Sequence, residues 1–229
     1  MYGSDDHLTR QADLIPFEVL STPITIIGAG AIGSWVTLSL AKMGFNHLVV
    51  FDGDEVTVEN MNCQFFPYKA IGHNKVEYLR RLVSGFANVN IVGMNTHFDP
   101  ALHNLTGKIV ISSVDSMEAR KMIWAQAKHA SVDYFIDPRM GAESSLLYVM
   151  QPTSTKDRTS YEKTLYSDDN AVQERCTAKA TIYTANLLAG QVCKAVKDIV
   201  VEKPYTRISQ WNIAENACMM YKSEGKSGS

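Results

Sequence analysis

The segment that begins at Ile24 constrains the fold of this chain more than any other. Four apolar residues, Ile24–Ile27, lead directly into Gly28-Ala-Gly30-Ala-Ile-Gly33, and a helical pattern follows over residues 31–43. An apolar run that ends in glycines predicts a strand buried on both faces. Glycines between such a strand and a helix let phosphate groups approach backbone N–H groups. The segment therefore predicts an α/β fold that binds phosphate.

The rest of the chain repeats this alternation of strands and helices. Further strands are predicted at residues 48–51, 90–94, 108–114, 134–136 and 146–150, helices at 74–85, 116–130 and 177–197, and a final hairpin at 205–221. Strands that alternate with helices are typical of a parallel sheet with right-handed crossovers. We predict a doubly wound, mostly parallel Rossmann-like sheet with an antiparallel extension at its C-terminal end.

The length of 229 residues fits one domain, so residues 1–229 are predicted to form a single unit. Its peripheral segments are an N-terminal arm over residues 1–20, a polar surface crossover loop over 152–175 and a flexible tail over 222–229. The loop is assigned because it is rich in Thr, Ser, Asp, Lys and Glu with little apolar periodicity.

Composition excludes several classes of partner. The formal net charge is −2 and neither half carries a sustained basic run, which argues against nucleic acid. No apolar stretch is long enough to span a bilayer, and the polar N-terminus is unlike a secretory signal, so a cytoplasmic protein is expected. Four scattered cysteines predict neither a zinc knuckle nor a disulfide framework.

Asp52 ends the second predicted strand, where an acidic side chain can accept hydrogen bonds from ribose hydroxyls. Together with the glycine loop it indicates a nucleotide with a free ribose, and these two features alone favour NAD. Glycines that serve only helix packing are the alternative interpretation.

The residues after Asp52 point away from NAD. They read Asp52-Gly-Asp54-Glu-Val-Thr-Val-Glu-Asn60-Met-Asn-Cys63-Gln64, and Lys75 follows at the start of a helix. This run resembles the pattern D-x-D-x-V-x-x-x-N-x-x-R-Q, with a downstream lysine, of the ThiF/MoeB superfamily. That superfamily includes ubiquitin-activating enzymes and the adenylyltransferases of thiamine and molybdopterin synthesis. The resemblance covers most of the chain, from Arg10 to the segment at Cys176.

The resemblance implies that the protein uses ATP and Mg²⁺ to attach AMP to the C-terminal carboxylate of a ubiquitin-like protein or peptide. Such chemistry needs cations and a metal to neutralise charge on the leaving pyrophosphate. Lys75 is the expected phosphate cation, and Asp115, which follows the strand at residues 108–114, the expected Mg²⁺ ligand. Asn60 and Gln64 are expected to donate to phosphate oxygens. The alternatives are a solvated Lys75 and a helix-capping Asp115.

Two more residues gain roles from the resemblance. Arg10 lies in an arm similar to one whose arginine reaches the neighbouring subunit's nucleotide, which implies a homodimer; a solvated arginine is the alternative. Cys176 precedes the last long helix, where the family places its acyl-accepting cysteine. A helix N-terminus and neighbouring cations would lower its thiol pKa, so we expect thioester formation there. Cys193 and Cys218 are interpreted as unreactive.

Two positions qualify the resemblance. Arg139, in a segment similar to one near the family's substrate groove, either meets the incoming chain or lies in a surface turn. Cys63 stands where the family has arginine, which removes a phosphate-facing cation. Arg10, Lys69 or Arg80 could compensate, the thiol could have a new role, or adenylation could be weak. Three hypotheses follow: an adenylyltransferase, an NAD-dependent oxidoreductase, and an inactive subunit of a heterodimeric activating enzyme.

Overall fold

The computed structural model describes residues 6–166 and 180–222. In this part of the chain eight strands form one sheet with the order β3-β2-β1-β4-β5-β6-β7-β8. The strands are β1 (Ile24–Ile27), β2 (Leu48–Phe51), β3 (Val92–Met94), β4 (Ile109–Ser112), β5 (Tyr134–Met140), β6 (Ser144–Met150), β7 (Thr206–Asn212) and β8 (Ala217–Lys222). The helices are α1 (Gly33–Lys42), α2 (Lys75–Ala87), α3 (Met117–Ala127), α4 (Thr155–Glu162) and α5 (Ile182–Val200).

The first five strands are parallel and the last three are antiparallel. β1 lies at the centre of the five parallel strands, where Ile24 pairs with Leu48 of β2 on one side and with Ile109 of β4 on the other. β5 and β6 then form the first antiparallel pair, and β7 and β8 extend the sheet. The predicted fold class is therefore confirmed. Every residue of β1 and β4 is buried, as expected for strands covered on both faces.

Helices cover both faces of the sheet. On one face α1, α2 and α5 pack on a core that includes Val36, Leu79 and Val192. On the other face α3 and α4 place Trp124 and Tyr161 against the sheet, and both side chains are fully buried. The chain moves from the first face to the second as it crosses from β2 and β3 to β4, so the connections that follow β1 and β4 lead to helices on opposite faces.

The predicted loop at residues 152–175 is wrong over Thr155–Glu162, which form α4. Ser154 caps the N-terminus of this helix, because its side chain accepts a hydrogen bond from the Asp157 backbone N–H at 3.3 Å. Asp157 in turn accepts from the Gln151 N–H and pairs with Arg207. Tyr161 is the main apolar anchor, so the segment has local caps and ion pairs but little of the apolar periodicity that predicts a helix.

Other predictions change at their boundaries, and the last long helix begins at Ile182 rather than at residue 177. Asp137 and Arg139 lie within β5 rather than in a surface turn after it, because the strand is longer than predicted. Lys222 belongs to β8 rather than to a tail. Residues 167–179 and 223–229, which hold Cys176 and the rest of the predicted loop and tail, lie outside the described residues.

The N-terminal arm is anchored to the domain. Leu8, Ile15 and Leu20 are buried together in a small cluster. Gln11 donates a hydrogen bond from Nε2 to the Met43 carbonyl at 2.6 Å, just after the end of α1. Within residues 6–166 and 180–222, no helix has the length and apolar character needed to cross a bilayer.

Candidate active site

A large crevice opens at the carboxyl ends of the parallel strands, where the connections after β1 and β4 lead to opposite faces of the sheet. Its volume is about 1540 Å³. This is where doubly wound folds bind ligands. The lining includes most of the residues singled out in the sequence: Gly28, Gly30, Asp52, Asp54, Asn60, Cys63, Gln64, Lys75, Asp115 and Arg139.

The three glycines of the loop serve different purposes. Gly28 has φ +96°, and a Cβ there would lie 2.5 Å from the Ser113 carbonyl oxygen. A Cβ on Gly33 would lie 1.9 Å from the Gly28 carbonyl oxygen, so this glycine allows α1 to start close to the strand. A Cβ on Gly30 would meet nothing nearer than Gln64 Nε2 at 4.0 Å. Gly28 and Gly33 are thus needed by the fold itself, and Gly30 keeps the floor of the crevice open.

The N-terminus of α1 faces this crevice. Among the described residues, no side chain caps the helix. The first turn of a helix has backbone N–H groups without partners inside the helix, and together with the helix dipole they favour an anion. The loop therefore has the features of a phosphate site.

Asp52 holds the glycine loop in place. Its Oδ2 accepts a hydrogen bond from the Ala29 N–H at 2.7 Å, and its Oδ1 accepts from the Asp54 N–H at 2.9 Å. Both bonds are formed by a carboxylate that is largely buried. Asp52 thus ties the end of β2 to the loop, and its predicted contact with ribose stays a prediction.

Lys75 lies between two carboxylates at the start of α2. Its Nζ is 2.8 Å from Asp54 Oδ2 and 3.8 Å from Asp52 Oδ1, and the lysine side chain is buried. The hydrogen bond from Lys75 lowers the pKa of Asp54, which therefore stays ionised at neutral pH. The alternative of a freely solvated Lys75 is thus wrong. The ammonium group is held at the crevice wall by fixed partners.

Asn60 is oriented by a local hydrogen bond, whereas Gln64 has a buried oxygen without a partner among the described residues. Asn60 Oδ1 accepts from the Thr57 N–H at 3.0 Å, and no hydrogen bond within the described part of the chain uses its amide nitrogen. Gln64 Oε1 and the hydroxyl of Ser113 are buried without a hydrogen-bond partner among the described residues. Buried polar atoms normally have partners, so unpaired ones beside the glycine loop fit a site that receives a polar ligand.

Asp115 is exposed at the mouth of the crevice, after β4. The cap of α3 is Ser116, whose hydroxyl accepts from the Ala119 N–H at 3.0 Å, so Asp115 is not the capping residue. Residues 6–166 and 180–222 contain no group of three metal-ligating side chains. Mg²⁺ commonly uses one or two carboxylates together with phosphate oxygens. A single carboxylate opposite the glycine loop fits that requirement.

Cys63 is buried on the crevice wall, and burial raises the pKa of its thiol. The thiol is therefore neutral at pH 7 and supplies no charge in place of arginine. Lys69 and Arg80 are exposed elsewhere, Arg80 paired with Glu77 at 3.0 Å, and neither lines the crevice. Neither compensates within its own chain for the missing cation.

Arg10 is not part of the crevice of its own chain. It lies on a short 3₁₀ helix, Asp6–Gln11, which packs beside the C-terminal end of α1. The glycine loop is at the other end of α1, and a ten-residue helix is about 15 Å long. Any contact between Arg10 and a nucleotide must therefore involve another chain. Cys176 lies outside the described residues.

A buried ionic network behind Asp115 was not predicted. Asp137 is fully buried in β5, and Arg120 donates from Nε to Asp137 Oδ1 at 2.9 Å. Arg139 Nε and the Tyr161 hydroxyl donate to Asp137 Oδ2 at 2.7 and 2.8 Å. Arg120 and Arg139 both line the crevice. Among the described residues that line the crevice, the lysines and arginines are Lys75, Arg120 and Arg139.

The pKa shifts in this network follow from burial and charge. Burial acts to lower the pKa of Arg139, but the interactions with Asp137 and Tyr161 together outweigh it, and the pKa lies above its ordinary value. Burial, reinforced by Asp137, raises the pKa of Tyr161, so the phenol stays protonated and donates. The sequence does contain an indication of this network, because the charged residues Asp137 and Arg139 directly follow the apolar run at residues 134–136, and charges that become buried need partners.

The fold and the crevice together define a doubly wound α/β protein. At the switch point of its sheet lie a glycine loop and an aspartate, Asp52, that follows the second strand. The chain belongs to the ThiF family, whose model matches residues 18–226.

Relatives of known name match shorter parts of the chain. Ubiquitin-like modifier-activating enzyme 5 of Drosophila persimilis is 32% identical over 130 residues, which is 49% of this chain and 33% of that protein. The NEDD8-activating enzyme E1 catalytic subunit of Dictyostelium discoideum is 34% identical over 110 residues, 44% of this chain and 24% of that protein. The chain therefore spans about a third or less of these curated relatives.

Solved structures share the fold over nearly the whole chain. PaaA has a TM-score of 0.75 at 18% identity and covers 97% of this chain and 84% of its own. Escherichia coli MccB solved with ATP has a TM-score of 0.76 at 13% identity, covering 94% and 71%. MccB in complex with N-formylated MccA has a TM-score of 0.78 at 13% identity, covering 97% and 74%.

Proposed function

We propose that this protein adenylates a carboxylate: ATP and a carboxylate give an acyl-adenylate and pyrophosphate. The observation that carries the proposal is the crevice, which brings the glycine loop, Lys75 and Asp115 to one edge of the sheet. An anion-binding helix end, a fixed cation and an oxygen ligand for a metal are what a triphosphate requires. Membership of the ThiF family supports the proposal, and so does the likeness to MccB, a structure of which was solved with ATP.

Each residue has a role in this reaction. A carboxylate oxygen of the donor attacks the α-phosphorus, and the bond from that phosphorus to the bridging oxygen of pyrophosphate breaks. The glycine loop and Lys75 hold the phosphates, so that two anionic reactants meet in a fixed geometry. Asp115 would hold Mg²⁺, which supplies neutralising charge to the leaving pyrophosphate when bound. Asn60 and Gln64 would donate to phosphate oxygens.

The donor is proposed to be a ubiquitin-like protein or a peptide with a free C-terminal carboxylate. The crevice volume of about 1540 Å³ exceeds the roughly 300–1,000 Å³ of a pocket for one small ligand, which leaves room for a second reactant. Arg139 and Gln210 line the part over the antiparallel strands. One relative is named as an activating enzyme for ubiquitin-like modifiers, and one structural neighbour is a complex of MccB with N-formylated MccA. Use of ATP and unpaired thiols suit a cytoplasmic protein.

Exchange of labelled pyrophosphate into ATP tests the proposal. Purified protein is incubated with Mg-ATP, labelled pyrophosphate and a panel of C-terminal peptides and ubiquitin-like proteins. We expect exchange that depends on a free carboxyl terminus, and amidated versions of the same peptides are the control. NAD binding without any ATP binding would favour an oxidoreductase. ATP binding or exchange that requires a second subunit would favour the inactive-partner hypothesis.

Cys176 is proposed to accept the acyl group after adenylation. Substitution of Cys176 by Ala should leave pyrophosphate exchange within about twofold of wild type, because adenylation precedes thiol attack. It should remove any acyl adduct that is cleaved by thiols, as measured by intact-protein mass spectrometry. Cys218→Ala is the matched control, since Cys218 is exposed on β8, away from the crevice. An adduct that persists in Cys176→Ala would contradict the role.

The protein is further proposed to act as a homodimer in which Arg10 serves the partner's nucleotide. Arg10→Ala and Lys75→Ala should each lower exchange by at least about tenfold, because each removes a cation from the phosphates. Mixing the two inactive variants should then restore about a quarter of wild-type exchange, since random mixing re-forms one intact site in half of the dimers. Exchange that does not recover, or an Arg10→Ala variant with full activity, would contradict action across subunits.

A further inference from the structure

The buried carboxylate of Asp137 is connected through one arginine, Arg120, to the backbone carbonyl of Asp115, whose own carboxylate is exposed. We propose that Asp137 is a positioning residue which, through Arg120, holds the turn bearing Asp115 in the geometry that the nucleotide's metal requires. This inference rests on the proposed function, because it assigns a role to a group behind the same site. The sequence analysis gave no role to Arg120 or to Asp137.

Asp137 is a rigid base for such a role. It is fully buried in β5 and accepts three hydrogen bonds, from Arg120, Arg139 and Tyr161, at 2.7 to 2.9 Å. These donors come from α3, from β5 and from α4. Charge-assisted hydrogen bonds of this kind are short and strong. The carboxylate therefore has little freedom, and it fixes the orientation of each donor.

Arg120 transmits this orientation to the metal-binding turn. Its Nε contacts Asp137, its Nη1 donates to the Asp115 carbonyl at 3.3 Å, and its Nη2 donates to the Val114 carbonyl. One planar guanidinium thus joins the buried carboxylate to two successive carbonyls of the turn. Its side chain is only 8% exposed. A lysine has the charge but not the fixed fork of donors, so it cannot make all three contacts in this geometry.

The charge balance also favours a role toward phosphate. Arg120, Asp137 and Arg139 carry a formal charge of +1 in total, and all three are largely buried. Without the carboxylate, two like charges would be left close together in a buried site. With it, the arginines stay in place and the surplus positive charge lies beneath the turn where an anionic ligand is proposed to bind.

The test compares Arg120→Lys with wild type in a thermal-shift titration. A non-hydrolysable ATP analogue is held at a fixed concentration, and Mg²⁺ is added from zero after treatment with EDTA. The rise in Tm reports binding to the folded protein. Because loss of a group that orients a metal ligand costs about 10- to 100-fold in metal affinity, we expect the half-maximal Mg²⁺ concentration to rise by that factor.

Two controls separate positioning from a general structural role. Arg139→Lys alters the other arginine on the same carboxylate, but Arg139 contacts Thr164 rather than the Asp115 turn. Tyr161→Phe removes one donor to Asp137 and leaves both arginines. Both substitutions should lower the Tm of the ligand-free protein. For Tyr161→Phe the fall should be roughly 2–4 °C, because one hydrogen bond is lost. Neither should shift the Mg²⁺ requirement more than about twofold.

A double mutant completes the test. If Arg120 acts through Asp115, Arg120→Lys should add no further shift in an Asp115→Asn background. Two results would overturn the positioning role while leaving the proposed function intact. One is a wild-type Mg²⁺ requirement in Arg120→Lys. The other is an equal shift of the Mg²⁺ requirement in Arg120→Lys, Arg139→Lys and Tyr161→Phe. A wild-type protein whose Tm does not respond to the analogue and Mg²⁺ would overturn both.

Discussion

Asp115→Ala should reduce carboxylate-dependent pyrophosphate exchange by at least about a thousand-fold, which corresponds to about 4 kcal/mol of transition-state stabilisation. Asp115 is the exposed carboxylate at the carboxyl end of β4, opposite the glycine loop, and Ser116 rather than Asp115 caps the following helix. Loss of the side chain should therefore leave α3 intact and remove the protein's anchor for Mg²⁺. Initial exchange rates at saturating Mg-ATP measure the effect.

Asp133→Ala is the matched control. Asp133 is an exposed aspartate that precedes β5, at the opposite edge of the sheet from the crevice. Its substitution should leave exchange within about twofold of wild type, as expected for a surface position. Asp115→Asn should behave like Asp115→Ala, because the amide keeps the shape of the side chain and loses its charge. Substantial exchange by either Asp115 variant would contradict a metal-anchoring role.

The positions of the glycine loop and Asp52 could be predicted because both follow from local rules. Glycines after an apolar strand predict the phosphate loop, and strand ends in a parallel sheet meet at one edge, so Asp52 and Asp115 were expected near it. Lys75 was assigned by resemblance, and the structure adds its reason for being held there, a buried position between Asp52 and Asp54.

The network behind the site could not be predicted in the same way. Arg120 and Asp137 are 17 residues apart, and Asp137 and Tyr161 are 24 apart. Their contacts depend on how α3 and α4 pack on β5, which no local pattern specifies. The helix α4 was missed for a related reason, since it is held by the cap at Ser154 and by Tyr161 beneath it rather than by an apolar stripe.

The same difference between local sequence and tertiary structure applies to the arginine that Cys63 replaces. By sequence it is a departure from the family's pattern, and sequence alone suggested Arg10, Lys69 or Arg80 as substitutes. In the structure Lys69 and Arg80 point elsewhere, whereas Arg120 and Arg139 line the crevice. The place of Arg120 at the site depends on the tertiary fold, in which Arg120 and Arg139 both pair with the buried carboxylate of Asp137.

Gly33→Ala should lower the free energy of unfolding by about 3 kcal/mol or more, with a fall in Tm of roughly 6–12 °C for a chain of this size. The added Cβ would lie 1.9 Å from the Gly28 carbonyl oxygen, and both partners are backbone near the start of α1 and the end of β1. Neither can move without separating the first helix from the central strand of the sheet. Urea denaturation followed by circular dichroism measures the change.

Gly30→Ala is the matched comparison, because it adds the same methyl group three residues earlier. Its Cβ would have its nearest neighbour, Gln64 Nε2, at 4.0 Å, so the stability should change by no more than about 0.5 kcal/mol. The methyl group would, however, occupy the path by which phosphates approach the loop, and ATP affinity should fall by at least about tenfold in calorimetric titrations. The two variants thus separate the glycine that the fold requires from the glycine that the ligand requires. A Gly30→Ala protein that binds ATP like wild type would place the phosphates away from this loop.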